Sequence, residues 1–272
     1  MLFFLLSCQN IENKAMTTGE ENSIIAPLNI APSIHDTQIE TVKRIRWAGE
    51  LGDILKYIDA SGNTREVISE GNAQHREALL FGVAQFSSVD IQIGRNVNGE
   101  WLYNESTSVQ IGRLTSELPE LDLVVPGDWD GTILFPIIGD QQENIAMINP
   151  AGEIIWAIGQ QSHPEIFANG TMIQSSFSKD GNSILLLNSA SSFGKDGAIY
   201  KVGLDGRLLE KIIIDGAHLS FVEADIDHYF LLSYNDEGIL GDNEPPTTSD
   251  VILEIKDGLS REVWNFWSTT FR

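Results

Sequence analysis

Cysteine and basic residues are both scarce in this chain of 272 residues. The single cysteine, Cys8, excludes an internal disulfide framework. Lys and Arg number 17 against 39 Asp and Glu, which gives a formal net charge of −22. This charge argues against nucleic acid or an anionic membrane surface as the partner, because both are bound through clustered basic residues. An anionic small molecule would need a local group of His, Arg or backbone N–H donors.

Several chemical motifs are also missing. The chain has no glycine loop of the kind that cradles a nucleotide phosphate, no Cys/His metal set and no serine nucleophile elbow. It has no apolar stretch long enough to span a bilayer. An acidic group at Asp225, Asp227, Asp236, Glu237, Asp242 and Glu244 could hold calcium, but its spacing matches no calcium loop and favours a solvated surface. We therefore expect no cofactor and no bound metal.

A pattern of turns and apolar strands recurs three times in the second half of the chain. One turn recurs at residues 131, 181 and 228, and a second at 152, 206 and 258, at intervals of about fifty residues. Four short strands per repeat of this length are typical of β-propeller blades. We predict three blades, over 121–158, 171–214 and 218–268. The alternative is an irregular all-β sandwich.

Three blades are fewer than the roughly 4–8 that close a propeller. We therefore expect an incomplete ring, which a longer chain or a second chain would complete. The partial propeller would occupy residues 116–272. Before it, six or so short strands in residues 33–115 predict a β-sandwich of the immunoglobulin or fibronectin type. Its basic run at 43–46 is expected to be the solvated face of a strand rather than an anion site.

The N-terminus resembles the end of a bacterial lipoprotein signal. Residues 1–8 form an apolar run that stops at Cys8, the residue that lipid would modify, and the polar residues 9–32 read as a flexible tether. The run is short and has no basic residue before the cysteine, so the signal would be truncated. The alternative is an ordinary buried cysteine. The lipobox interpretation predicts a protein of the bacterial cell envelope, periplasmic or on the outer membrane, that meets the membrane only through its lipid anchor.

Three polar residues are candidates for the site. His218 begins the first strand of the third blade, where propellers place ligands at the channel mouth, and an imidazole there can act as a general base or a nucleophile. Asn188 ends the second strand of the second blade and is expected to reach the same mouth. His163, in the loop that enters the second blade, is a second substrate-binding candidate. The alternative for His218 is a structural histidine that is hydrogen-bonded at a strand end.

Short motifs across about 35–272 resemble the bacterial arylsulfotransferase family. They are 115–121 (TSELPEL), 149–156 (NPAGEIIW), 177–188 (FSKDGNSILLLN), 217–218 (AH), 250–255 (DVILEI) and 263–265 (VWN). The resemblance implies a β-sandwich followed by a six-bladed propeller. It also implies transfer of a sulfuryl group from a phenolic sulfate ester to a phenol, without a nucleotide donor, through a channel histidine.

The chain departs from the family pattern at the proposed site. Where the family commonly carries His-His-Asp, this chain reads His218-Leu219-Ser220, so that only the first histidine carries over. The nucleophilic histidine of the family is expected beyond residue 272. These departures keep a second function open, a non-catalytic propeller that binds or scaffolds at the cell surface. A third possibility is a sugar- or peptide-binding module that uses Trp129, Trp264 and Trp267.

Overall fold

The computed structural model describes residues 28–72, 74–114, 118, 131–138, 143–167, 171–189, 196–235 and 249–265. Within these ranges the chain forms twenty strands, arranged in five antiparallel sheets that do not close on themselves, and one helical turn, α1 (Pro164–Phe167). The predicted all-β class is therefore confirmed. Among the described residues no helix has the length and apolar character needed to cross a membrane. Cys8, the proposed signal and most of the tether lie outside the described ranges.

The first two sheets use residues 33–110. Their strands are β1 (Ser33–Asp36), β2 (Lys43–Trp47), β3 (Ile54–Ile58), β4 (Thr64–Ile68), β5 (Glu70–Gly71), β6 (Arg76–Leu80), β7 (Ser88–Val97), β8 (Glu100–Tyr103) and β9 (Thr107–Gln110). One sheet has the order β1-β2-β6-β5, and the other has the order β4-β3-β7-β8 with β9 also paired to β7. Ile45 and Trp47 of β2 and Leu55 and Tyr57 of β3 enter one buried cluster, so the two sheets share a core.

The basic run on β2 differs from the expectation of a solvated face. Lys43 is buried and donates to Asp36 over 2.6 Å, and Arg44 is ion-paired with both Glu77 and Asp205. Arg46, whose side chain is half exposed, donates to Glu77 over 2.8 Å. All three cations already have carboxylate partners, because the neighbouring strand and a distant turn place acids against them.

The three later sheets each take their strands in chain order. They comprise β10 (Ile133–Ile138), β11 (Glu143–Ile148) and β12 (Ile154–Gly159); β13 (Thr171–Phe177), β14 (Ser183–Ser189), β15 (Asp196–Gly203) and β16 (Leu208–Asp215); and β17 (Ala217–Asp225), β18 (His228–Asn235), β19 (Ser249–Lys256) and β20 (Leu259–Asn265). All four strands predicted for the second repeat and all four for the third are present. The strand predicted near 121–126 lies outside the described residues.

The recurring turns adopt the backbone conformation that the sequence predicts. Positive φ angles occur at Gly131, Gly181 and Asp227 for the first turn, and at Gly152, Gly206 and Gly258 for the second. Gly206 needs glycine for a second reason, because a Cβ there would lie 2.8 Å from Cβ of Gln38. The turn that contains it therefore packs closely against the N-terminal part of the chain.

Buried apolar clusters join the later sheets to one another. One cluster combines Met147 and Trp156 of the third sheet with Leu186 of the fourth, and it also takes in Ile39 and Val42. A second cluster joins the fourth and fifth sheets through Leu187 and Tyr229. Strand β13 contacts both β10 and β17, so the first described strands of the three sheets lie side by side.

Candidate functional site

A bulge at the start of β17 sets the position of His218. Ala217 pairs with Ser233 and Phe221 pairs with Leu231, so residues 218–220 lie opposite a single residue of β18. The extra residues are accommodated by Leu219, which has a φ of 59° and is exposed. Positive φ is uncommon for a branched residue, and bulges of this kind re-aim side chains at sheet ends.

The ring of His218 is buried and held on two sides. Only 3% of the residue is exposed, and Nδ1 lies 3.1 Å from the carbonyl oxygen of Gly216. Because a carbonyl can only accept, Nδ1 is the donor in this contact. The ring also stacks on Tyr234, with an interplanar angle of 3°. The orientation of the imidazole is therefore fixed.

The second ring nitrogen of His218 has a charged neighbour but no hydrogen bond. Nε2 lies 3.2 Å from Oδ1 of Asp250, a distance that suits an ion pair, but the alignment is too poor for a hydrogen bond. The Asp250 side chain is 53% exposed, so it lies between the buried ring and solvent. A buried polar atom without a partner carries an energetic cost of about 1–3 kcal/mol, and in native structures such atoms often mark ligand sites.

Asn188 lies at the same end of the sheets as His218. A Cβ placed on Gly197 would be 2.8 Å from Cβ of Ala217 and 3.0 Å from the backbone oxygen of Asn188, which shows how close these segments are. The Asn188 side chain is turned towards α1, where Nδ2 donates to the Ile166 carbonyl over 2.9 Å. Its Oδ1 is buried and has no hydrogen-bond partner.

The imidazole of His163 contacts the opposite end of the same sheet, although the His163 carbonyl accepts from the N–H of Ile166, the residue that Asn188 contacts. Its Nε2 is 2.8 Å from the carbonyl oxygen of Gly206, and its Nδ1 is 2.9 Å from Oγ of Ser162. Strand β15 has 8 residues and runs between the two ends. At about 3.3 Å per residue this separates the ends by roughly 25 Å. No hydrogen bond or ring contact among the described residues joins His163 to His218, and both ring nitrogens of His163 are satisfied.

A cleft of about 660 Å³ separates the first two sheets from the turns of the later sheets. Tyr57, Phe81 and Leu204 are among its apolar lining. On one side Nε of Arg65 donates to the buried Asp59 over 2.6 Å; on the other, Nε of Arg207 donates to the buried Asp205 over the same distance. Both guanidiniums are more than half exposed. Each is thus anchored by a carboxylate, and both arginines line the cleft.

Sequence reasoning missed the residues that surround His218. Tyr234 and Asp250 are Cα partners across the β18–β19 hairpin, and the partner of Ala217 is Ser233, next to Tyr234. Pairing the β18 and β19 segments residue by residue from the sequence would have placed Tyr234 opposite Asp250. The sequence offers no signal of comparable strength for Arg65 and Arg207, because they come together only through the packing of distant sheets.

Most of the acidic group at 225–244 lies outside the described residues. Asp227 is paired with Lys201 over 2.7 Å, and Asp236, Glu237, Asp242 and Glu244 lie outside the described residues. Trp129 and Trp267 also lie outside them, and Trp264 is 38% exposed. No described cluster of three or more His, Cys, Asp or Glu side chains could hold a metal ion.

Comparison with protein-family models and with curated proteins finds no match for this chain.

Proposed function

We propose that the chain is an arylsulfotransferase-like protein, built as a β-sandwich followed by blades of a propeller. Two features support this architecture. The first two sheets share one core, and each later sheet is a meander whose first described strand contacts that of its neighbour. This layout agrees with the resemblance of the sequence motifs to that family.

The buried Nε2 of His218, which makes no hydrogen bond and lies beside Asp250, is the observation that carries the proposal. The ring is oriented by Gly216 and Tyr234, so Nε2 is held ready for a ligand atom. When protonated, Nε2 would donate to a sulfuryl oxygen of a phenolic sulfate ester, and Asp250 would stabilise the positive ring. Fixed donors around transferring oxygens lower the barrier in the related phosphoryl transfers. A phenol would be the acceptor of the sulfuryl group.

The proposal is tested by titrating the chain with 4-nitrophenyl sulfate in a calorimeter. We expect His218→Ala to weaken binding at least about tenfold, which corresponds to one lost charge-assisted hydrogen bond. His218→Gln, which can still donate, should retain part of the affinity. The matched control is His75→Ala, because His75 is exposed and lies on a distant hairpin. Equal affinities for the wild-type chain and His218→Ala would exclude His218 from the binding site.

A second candidate function is ligand binding without chemistry, and the cleft favours it. Its volume lies within the roughly 300–1,000 Å³ of small-molecule sites, and the anchored Arg65 and Arg207 offer preorganised donors from opposite walls. The same titration distinguishes the two sites. Loss of binding in Arg65→Gln and Arg207→Gln, with full binding in His218→Ala, would place the ligand in the cleft and favour the binding function.

We also propose that the protein is tethered to the bacterial envelope through Cys8. The support is the apolar run that ends at this cysteine. Metabolic labelling with a radioactive fatty acid tests this directly: the wild-type chain should incorporate label and Cys8→Ser should not. Equal labelling of both chains would disprove the anchor.

A further inference from the structure

Strand β4 has a free edge along the cleft between the first two sheets and the later turns. It pairs with β3 on one side, and no described strand pairs with it on the other. Four of its 5 residues line the cleft, from Arg65 to Ile68. The pairing with β3 has no bulge, and Ile68 is 72% exposed. This edge therefore lacks the proline or bulge that commonly prevents a further strand from pairing.

The backbone groups of β4 that point away from β3 can be identified from the ladder. The N–H of Ser69 donates to the Asp53 carbonyl over 3.0 Å, in the same register as the β3–β4 pairs. Bonded pairs alternate along an antiparallel ladder, so Thr64, Glu66 and Ile68 direct their N–H groups and carbonyls away from β3. These groups make no hydrogen bond within the described residues. An extended chain laid along β4 would satisfy them.

The two faces of β4 determine which side chains such a strand should carry. Val67 packs against the core shared by the first two sheets, so every second residue of an added strand would turn inward beside it, towards the apolar lining of the cleft. The other residues would turn outward beside Glu66. The Glu66 side chain is 48% exposed, and its ion pair with Lys56 is long, 3.9 Å. Glu70, which also lines the cleft, has no ion pair among the described residues. A basic residue is therefore favoured opposite Glu66.

Neither a second copy of β4 nor another part of this chain fits this edge. If two copies of β4 paired antiparallel and engaged all three free residues of each, two Glu66 side chains would lie opposite each other, and like charges there are destabilising. The net charge of −22 per chain adds to the repulsion. The segments outside the described ranges carry only isolated basic residues, at Lys14, Lys195 and Arg272.

We propose that β4 is a docking edge for an extended segment of a partner protein in which apolar and basic residues alternate. Main-chain hydrogen bonds to Thr64, Glu66 and Ile68 supply the affinity, and the alternating side chains supply the specificity, as in other cases of β-strand addition. The inward apolar residues fill part of the cleft of about 660 Å³. Arg65 and Arg207 do not oppose the basic residues, because each is already paired with a buried acid.

The experiment is a fluorescence anisotropy titration of the chain against a labelled hexapeptide of alternating valine and lysine with blocked ends. We expect saturable binding that is at least about tenfold tighter than the binding of two control peptides. One control alternates valine and glutamate, and the other has three valines followed by three lysines. Equal binding of the two lysine peptides would show charge attraction without strand addition, and this result or an absence of saturable binding would overturn the docking edge.

Variants of β4 test the side-chain and backbone contacts separately. Glu66→Lys should weaken binding of the lysine peptide at least about tenfold and create binding of the glutamate peptide, because it reverses the charge beside the edge. The matched control is Glu100→Lys, the same change at an exposed acid on β8, at the opposite end of the same sheet. It should leave both affinities close to those of the wild-type chain. Equal effects of the two variants would contradict the proposal.

Ile68→Pro removes an outward N–H without breaking a bond to β3, so it should also weaken binding of the lysine peptide at least about tenfold. Thermal unfolding shows whether this variant keeps the fold; if it does not, Glu66→Lys and Glu100→Lys decide the question. A folded Ile68→Pro chain with wild-type affinity would exclude strand addition at β4. No sulfate ester is present, so the outcome does not depend on whether His218 or the cleft binds one.

Discussion

The imidazole of His218 lies face to face with the ring of Tyr234, with the two ring centroids 3.5 Å apart. The two residues come from adjacent strands, β17 and β18, and the bulge at 218–220 is what allows the rings to overlap. The Tyr234 ring covers one face of the imidazole, and Nε2 on the imidazole edge lies next to Asp250. Tyr234 is thus a positioning residue in the proposed site, because it holds the His218 imidazole in place.

Removing the ring of Tyr234 should loosen His218 and lower stability. Stacked aromatic pairs contribute about 0.5–1.5 kcal/mol beyond the area that they bury, so we expect Tyr234→Leu to lower the free energy of unfolding by at least about 1 kcal/mol. Tyr234→Phe keeps the stack and should retain most of that stability. Urea unfolding of the three chains measures the difference. Equal losses for Phe and Leu would show that the hydroxyl group, and not the stack, is the stabilising part.

Asp205 joins the N-terminal sheets to the fourth sheet. It is buried at the β15–β16 turn and accepts from Arg44 of β2 and, over 2.6 Å, from Nε of Arg207. Its backbone carbonyl also accepts from the N–H of Gln38 over 3.1 Å. Loss of the carboxylate would leave the largely buried Arg44 with Glu77 as its remaining acid partner.

We expect Asp205→Ala to lower the free energy of unfolding by about 3 kcal/mol, as is typical when one partner of a buried ion pair is removed. The matched control is Arg207→Ala. Its guanidinium is 61% exposed, so its loss should cost about 1 kcal/mol or less. Urea unfolding followed by tryptophan fluorescence compares them. Similar losses of unfolding free energy in the two variants would mean that the buried ion pair between Asp205 and Arg44 does not stabilise the fold.

The repeated turns and strands were predictable because they depend on local chemistry. Gly131 and Gly181 adopt the positive φ that their turns need, and the apolar runs after them form strands. The surroundings of His218 were not predictable, because they depend on a bulge that places three residues opposite one. Such a bulge shifts the register without any mark in the hydrophobic pattern. The charges of 43–46 were misjudged because their acid partners are fixed by strand pairing, for Asp36 and Glu77, and by the packing of a distant turn, for Asp205.

The pKa of Asp53 predicts a loss of stability in acid. Burial alone would raise this pKa, but hydrogen bonds from Arg95, the Glu50 amide and Trp47 outweigh burial and hold it below its usual value. Arg95 donates to both carboxylate oxygens, over 2.9 and 2.8 Å. A folded pKa below the unfolded one stabilises the fold at any pH above the unfolded value, and this stability is lost as the pH falls through the folded value.

We therefore expect the stability contributed by Asp53 to be complete near neutral pH and to decline below about pH 4, the ordinary range of an aspartate pKa. Asp53→Asn should be less stable than the wild-type chain at pH 7, and the gap should narrow as the pH falls. Thermal unfolding between pH 7 and pH 3 measures it. Asp90→Asn, an exposed acid without a charged partner, should show no such narrowing. A gap that stays constant with pH for Asp53→Asn would mean that its carboxylate is not stabilised in the fold.

The variant His163→Ala tests whether His163 stabilises the fold or binds the substrate. Its imidazole is buried and bridges the Gly206 carbonyl and the Ser162 hydroxyl, so His163→Ala removes two hydrogen bonds and leaves a cavity. We expect it to lower the free energy of unfolding by about 2–4 kcal/mol, the range for a buried polar group and its volume. Affinity for 4-nitrophenyl sulfate, measured on folded protein, should follow His218 and not His163, because both ring nitrogens of His163 are already hydrogen-bonded. Reduced affinity with unchanged stability would instead support the substrate-binding role that the sequence suggested for His163.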